Sequence, residues 1–416
     1  MRCEANCADI GTLMHRKENK PADDRNPVLK DRARILGEID GGLEGPTVLV
    51  TAGIHGNENA GVVAVERVVS RLVRERPEAR GRFVCSIGNM RALREGTRFV
   101  DVDLNREWTP AKVAALGDGT PVKGQRAEHV EQRALIDFIG DEVRAARGPV
   151  FFIDMHTSSA DGPPFITVGD TLLNREFSAN FPLPVILGLE EQVDGSLLEF
   201  LNNCGLVTLG IEGGQHDSDE SADRLEAMLL LAMVATGFLA ATAVPDLARY
   251  RSLLAEQSDG IPRVIEVRHR HAVEPADRFR MEPGFANFVP VRKGQLLAQD
   301  AHGDVLCPED GLMLLPLYQG QGEDGFFVAR RVGPFRNAVS AVLRRWRVGR
   351  LVRLLPGVRR YEKRPGVLEV NTRVARFYPL DVFHLFGYRK LRSEGTHLIV
   401  TRRKHDLARP SRIDFP

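Results

Sequence analysis

Apolar runs of strand length alternate with amphipathic runs of helix length from residue 34 to about 239, and no other feature restricts the fold so much. Residues 34–40, 46–54, 81–88, 149–155, 164–168, 184–187 and 206–212 read as strands. Residues 58–74, 126–147, 172–180, 196–203 and 222–239 read as helices between them. Such alternation implies crossover connections, and crossovers give a mostly parallel sheet flanked by helices. Residues 90–123 break the rhythm as a long irregular segment, a length that compact domains tend to keep for function. From 261 to 331 the texture turns to short β-like runs and turn glycines, the pattern of a small all-β domain. The expected partition is a tail over 1–30, an α/β domain over 31–258, a small β domain over 259–332 and a basic C-terminal extension over 333–416.

Composition adds one useful point. The net charge is +1, but 20 Lys and Arg against 6 Asp and Glu lie from Phe335 onward, so a segment of +14 follows a body of −13. The arginines (Arg344, Arg345, Arg347, Arg350, Arg353, Arg359, Arg360) surround Trp346 and Tyr361. Docking on the acidic body of its own chain, or of a neighbouring subunit in a homo-oligomer, is the expected use of this extension. Nucleic acid or an anionic membrane surface is the alternative. Five cysteines, an odd number, suggest reduced thiols. Residues 1–34 contain no apolar signal core. The run 227–244 approaches spanning length, but Thr236, Gly237 and Thr242 interrupt it and Glu226 and Asp246 flank it. It reads as a helix buried against the sheet. The expectation is a cytoplasmic protein with no membrane partner.

The stretch from Thr51 to Gly61 places His55 and Glu58 across a glycine turn between strand and helix. Ligands of open α/β sheets bind at such strand ends. Alone, a His and a Glu three residues apart are more often a capped turn than a ligand pair, so their partners decide. His156 leaves another strand, with Asp154 two residues earlier on the same face. Glu212 ends a third apolar strand. Two imidazoles and one carboxylate form a catalytic zinc set with a position left open for water. Asp154 is the carboxylate that fixes the tautomer of a ligating imidazole. Glu212 is the free carboxylate that moves the proton. In the irregular segment, Arg98 suits a developing oxyanion, and Asn105 with Arg106 suits a substrate carboxylate.

At these residues the chain resembles the succinylglutamate desuccinylase/aspartoacylase family, zinc carboxypeptidase-like amidohydrolases. The resemblance rests on Gly-Ile-His-Gly-Asn-Glu, Thr-Arg-Phe-Val-Asp-Val-Asp-Leu-Asn-Arg, Asp-Met-His-Thr and the Glu of Ile-Glu-Gly-Gly-Gln, and it covers residues 35–331. It implies one zinc per chain on His55, Glu58 and His156, and Glu212 as general base and acid. It implies that Arg98 polarises the scissile carbonyl, with Asn105 and Arg106 on a substrate carboxylate. It also implies that residues 261–331 partly cover the active-site mouth. The expected function is zinc-dependent hydrolysis of an amide bond in a small N-acyl amino acid. Removal of a peptide's C-terminal residue by a metallocarboxypeptidase is the alternative.

One departure bears on the substrate. Family members acting on acidic N-acyl amino acids commonly grip a second carboxylate with an Arg between the second His and the base Glu. Residues 182–210 contain no Arg or Lys and carry Glu190, Glu191 and Asp194. Arg175, upstream, is the one substitute available. This counts against N-acetylaspartate and N-succinylglutamate.

Overall fold

The sequence alternation becomes a mixed sheet with helices on both faces. The structure is a computed structural model that describes residues 33–116, 126–361, 367–371, 373–374, 380–394, 397–403, 405–410, 413 and 415–416. The tail expected over 1–30, with Cys3 and Cys7, lies outside the described residues. β1 (Ile35–Asp40), β2 (Thr47–Ala52), α1 (Ala60–Glu75) and β3 (Arg82–Ile87) come first. Three helices follow, α2 (Met90–Glu95), α3 (Pro110–Ala115) and α4 (Ala127–Ala145), and then β4 (Val150–Ser158). Next are β5 (Phe165–Thr167), α5 (Leu172–Ser178), β6 (Val185–Leu187), α6 (Leu197–Cys204) and β7 (Val207–Gln215). α7 (Asp219–Thr236) and α8 (Leu247–Gln257) lead to β8 (Val264–Ala272). β9 (Arg280–Met281), β10 (Pro290–Val291), β11 (Leu296–Asp300), β12 (Gly303–Leu306), β13 (Gly311–Leu314) and β14 (Asp324–Arg331) complete this part.

Among the described residues the main sheet runs β1-β3-β2-β4-β7-β5-β6-β8-β14-β13-β10. Its centre is parallel: β3, β2, β4 and β7 pair in one direction. β1 is antiparallel on its edge, and the strands from β8 to β10 continue the sheet antiparallel. β9, β11 and β12 form a separate small sheet. Side-chain alternation along β2 explains the two-sided core. Val48, Val50 and Ala52 join Val62, Val65 and Val68 of α1 and Met228, Leu229 and Met233 of α7. Leu49 faces the other way, with Phe152 of β4, Leu135 and Ile139 of α4 and Leu201 of α6. The apolar run at 227–233 is therefore core. No helix among the described residues is long and apolar enough to cross a membrane. Cys85, Cys204 and Cys307 are free, buried thiols.

Three local readings need correction. Residues 90–123 are not irregular throughout. Asn89 caps α2 by accepting the Ala92 N–H at 3.0 Å, and Thr109 with Pro110 starts α3. His156 and Glu212 sit inside β4 and β7, whose pairing continues to Ser158 and Gln215. The segment 117–125 lies outside the described residues.

The C-terminal extension comprises α9 (Pro334–Arg345), β15 (Val358–Arg360), β16 (Val367–Asn371), α10 (Leu380–Leu385), β17 (Tyr388–Glu394) and β18 (His397–Arg402). Its strands form their own antiparallel sheet in the order β15-β16-β18-β17. Part of the extension's positive charge meets acidic residues of the preceding body. Arg344 is fully buried and donates to the carboxylates of Asp170 and Asp406. Arg389 pairs with Asp170, Glu191 and Glu266. Arg345, Trp346 and Arg347 remain exposed.

His384 of α10 lies at 2.6 Å from Glu266 and 3.1 Å from Glu191. Burial opposes its charge, but the two carboxylates outweigh burial and push it up to about 9. Arg389 binds the same two carboxylates, so charges of both signs face the ring. A raised imidazole pKa stabilises the fold below the unfolded value, and that contribution is lost as pH rises through the folded value. The expected result is a fall of roughly 3 kcal/mol in stability between pH 7 and 10, since each tenfold gain in proton affinity on folding contributes about 1.4 kcal/mol. Unfolding midpoints measured across that range should slope downward, and His384→Gln should flatten the slope.

Candidate metal centre and cleft

β2, β4 and β7 are neighbours in the sheet and deliver their C-terminal ends to one place. After β2 the chain turns through Gly53 and Gly56. Gly53 takes a positive φ of +68°, and a Cβ on Gly56 would lie 2.0 Å from the Ala92 carbonyl carbon. Only glycine allows this close approach, which sets His55 and Glu58 over the sheet. His156 and Glu212 are register partners on β4 and β7.

The Glu58 carboxylate sits between the two imidazoles. Its Oε1 is 2.6 Å from His55 Nδ1 and its Oε2 is 3.0 Å from His156 Nδ1. The Thr157 N–H donates to the same Oε2 at 3.1 Å. Burial would raise the Glu58 pKa, but His55 and His156 hold it well below the usual carboxylate range. One potential donor atom from each of His55, Glu58 and His156 lies within 4.8 Å of the others. Each imidazole has its outer nitrogen on a carboxylate. His156 Nε2 faces Asp154 at 2.9 Å, and His55 Nε2 faces Asp103 at 3.2 Å. This holds both rings with Nδ1 inward, leaving that nitrogen available to a divalent ion. The donor set fits a metal ion with an open position.

Glu212 has a buried Oε2 with no hydrogen-bond partner. Burial, reinforced by Glu58 and opposed by His156, raises it to about 7. Arg98 donates from Nε and Nη2 to Asp103 Oδ2 at 3.1 and 3.0 Å, which leaves Nη1 directed at the cluster, 3.7 Å from Glu58 Oε1. Arg106 donates to Asp324 at 2.5 Å, and its buried Nε has no hydrogen-bond partner, with the Glu323 carboxylate 3.9 Å away. Asn105 accepts the Leu197 N–H at 2.9 Å. One cleft is lined by His55, Glu58, Arg98, Asn105, Arg106, His156 and Glu212. Asp154 is fully buried behind His156. The candidate ligands, base, arginines and Asn105 named from the sequence are thus brought together, whereas Arg175 is not. That side chain pairs with Asp170 and Asn337 and does not line the cleft.

Several functional positions escaped the sequence reading. Asp103 holds both His55 and Arg98; it stood inside a quoted motif, and only its pairing was hidden. Glu128 is fully buried and accepts the N–H groups of Val100, Asp101 and Val102, which shapes the loop carrying Asn105 and Arg106. The connection from β13 to β14 closes over the mouth. Gln319 contacts Asn57 and His216, Gln321 accepts the Arg98 N–H, and Asp324 bridges Arg106 and Arg270. Glu199 also lines the cleft.

Comparison with known proteins is consistent with this geometry. Residues 44–232 match the model of the succinylglutamate desuccinylase/aspartoacylase catalytic domain. Over that segment, less than half of the chain, the sequence is similar to this family's catalytic domain. A succinylglutamate desuccinylase of Burkholderia pseudomallei (strain 1710b) is 35% identical over 132 residues, 31% of this chain and 36% of the relative. One from Pseudomonas paraeruginosa (strain DSM 24068 / PA7) is 32% identical over 123 residues, 30% of this chain and 33% of the relative. The chain thus spans about a third of the length of these curated relatives. The fold extends further than the sequence likeness. A succinylglutamate desuccinylase/aspartoacylase from Rhodobacter sphaeroides superposes with a TM-score of 0.51 at 19% identity, covering 70% of this chain and 87% of that one. The enzyme from Chromobacterium violaceum gives 0.50 at 18% identity, over 71% and 88%.

Proposed function

We propose that this chain is a zinc-dependent hydrolase that cleaves the amide bond of an N-acyl amino acid. The observation that carries the reading is the buried, unpartnered Oε2 of Glu212, whose residue is the register partner of His156. His55, Glu58 and His156 would hold the zinc, which when bound supplies a Lewis acid and lowers the pKa of water to about 7. Asp103 and Asp154 keep the two imidazoles oriented with Nδ1 inward. Glu212 takes a proton from the attacking water. It then gives that proton to the amide nitrogen as the C–N bond breaks, so the products are a carboxylate and an amine. Arg98, anchored through Asp103, directs its remaining Nη1 to the oxygen on which negative charge develops. Asn105 and Arg106 orient the carboxylate of the amino acid, with Arg106 exchanging Asp324 for substrate.

The experiment is an assay of amine release from a panel of N-acetyl amino acids, set beside N-blocked dipeptides, with zinc supplied. The expected result is hydrolysis of the N-acyl amino acids that a chelator abolishes. Cleavage confined to the peptides' C-terminal residue would instead favour a metallocarboxypeptidase.

A further inference from the structure

The cleft holds two adjacent glutamates on one side that the mechanism above does not use. Glu190 and Glu199 line it together with His55, Glu58 and His156. Of its other acids, Glu58 and Glu212 belong to the metal cluster, Asp324 is taken by Arg106 and Arg270, and Glu323 is 52% exposed and 3.9 Å from Arg106. Glu190 and Glu199 share a single guanidinium, that of Arg403 from the chain's C-terminal extension. Arg403 lies 3.3 Å from Glu190 and 3.9 Å from Glu199. Glu190 Oε1 also accepts the Asp170 N–H at 3.1 Å. Its Oε2 has no hydrogen-bond partner, although the side chain is only 7% exposed. Burial raises Glu190, opposed by Arg403 and reinforced by Glu191, and burial raises Glu199 to about 7, opposed by Arg403 and reinforced by Glu190. Glu190 is buried and Glu199 is 26% exposed, and the two share that one ion-pair partner, so a cationic ligand would favour the charged form of both carboxylates.

The remaining lining describes the rest of that ligand. Arg98 and Arg106 are the only Arg or Lys among the described residues of the lining, and they pair with Asp103 and Asp324. Val168, Leu189, Val193 and Leu198 add apolar surface beside the two glutamates. An aliphatic stem would pack there and an ammonium at its tip would reach the carboxylates. A carboxylate in that position would face two acids and no free base.

We propose that Glu190 and Glu199 form a cation subsite that selects substrates bearing an ammonium group on an aliphatic stem, as in an Nα-acylated basic amino acid. The proposal rests on the hydrolase reading for its kinetic consequence, and a binding measurement separates the two.

The test compares Nα-acetyl-lysine, Nα-acetyl-norleucine and Nα-acetyl-glutamate with the full chain supplied with zinc. The expected kcat/KM for the lysine compound exceeds that for the norleucine compound by about tenfold or more, as one charge-assisted hydrogen bond warrants. In Glu199→Gln that ratio collapses towards one, and Glu190→Gln provides an independent second variant. Calorimetry with free lysine and norleucine reads the subsite without turnover. If all three compounds are inert but lysine alone binds, and Glu199→Gln loses it, the subsite stands and the hydrolase reading falls. Hydrolysis without preference for lysine, or with preference for glutamate, overturns the subsite and leaves the hydrolase reading intact. Inert compounds together with equal binding of lysine and norleucine overturn both.

Discussion

Glu212→Gln should lower kcat by roughly 10²–10⁴-fold, the usual contribution of a positioned general acid–base group. The substitution keeps the size and shape of the side chain, so the packing of β7 against β4 is retained. It removes the one carboxylate in the cluster that has an unpartnered oxygen and no imidazole to hold. Metal content should be unchanged, because the donor atoms come from His55, Glu58 and His156. KM should change little, since Asn105 and Arg106 are assigned the carboxylate and the base acts on water. Steady-state kinetics paired with metal analysis reads all three quantities. Unaltered kcat at full metal occupancy would remove Glu212 from the mechanism.

His156→Ala should abolish both metal retention and turnover. The side chain contributes one of two imidazoles and also braces Glu58, whose charge is held by the pair. Losing it leaves the buried Glu58 carboxylate with one imidazole instead of two, and breaking a buried pair in this way destabilises by about 3–5 kcal/mol. Asp154→Asn touches the same ring from behind and makes a useful comparison. It should weaken metal binding by about 10–100-fold, the usual cost of losing an outer carboxylate. Equilibrium dialysis against zinc with both variants orders the effects. If Asp154→Asn costs more affinity than His156→Ala, the roles of the two residues have been assigned the wrong way round.

The sequence was most legible where one local pattern determined the outcome. Val48, Val50 and Ala52 alternate with Leu49 and Thr51, so β2 had to be buried on both faces, and the glycines after it had to turn. His55, Glu58, His156 and Glu212 were legible because each sits beside a recognisable apolar strand. Interactions between distant segments were not legible. Asp324 meets Arg106 across 218 positions, and Gln321 meets Arg98 across 223. No periodicity encodes such contacts, because they depend on how β14 joins the sheet beside β8. The strand ends were misjudged because Ser158 and Gln215 are polar, while their backbones continue the ladder. The acidic cleft was half legible. The absence of Arg and Lys from residues 182–210 could be read directly, whereas the approach of Arg403 to Glu190 needed the fold.

Titration of zinc into the metal-stripped chain, with amide hydrolysis followed at each addition, tests the central claim most directly. Activity should start near zero, rise in proportion to added zinc and level off at one equivalent per chain. Full hydrolysis by the stripped chain, or activity that never responds to zinc, would contradict the account.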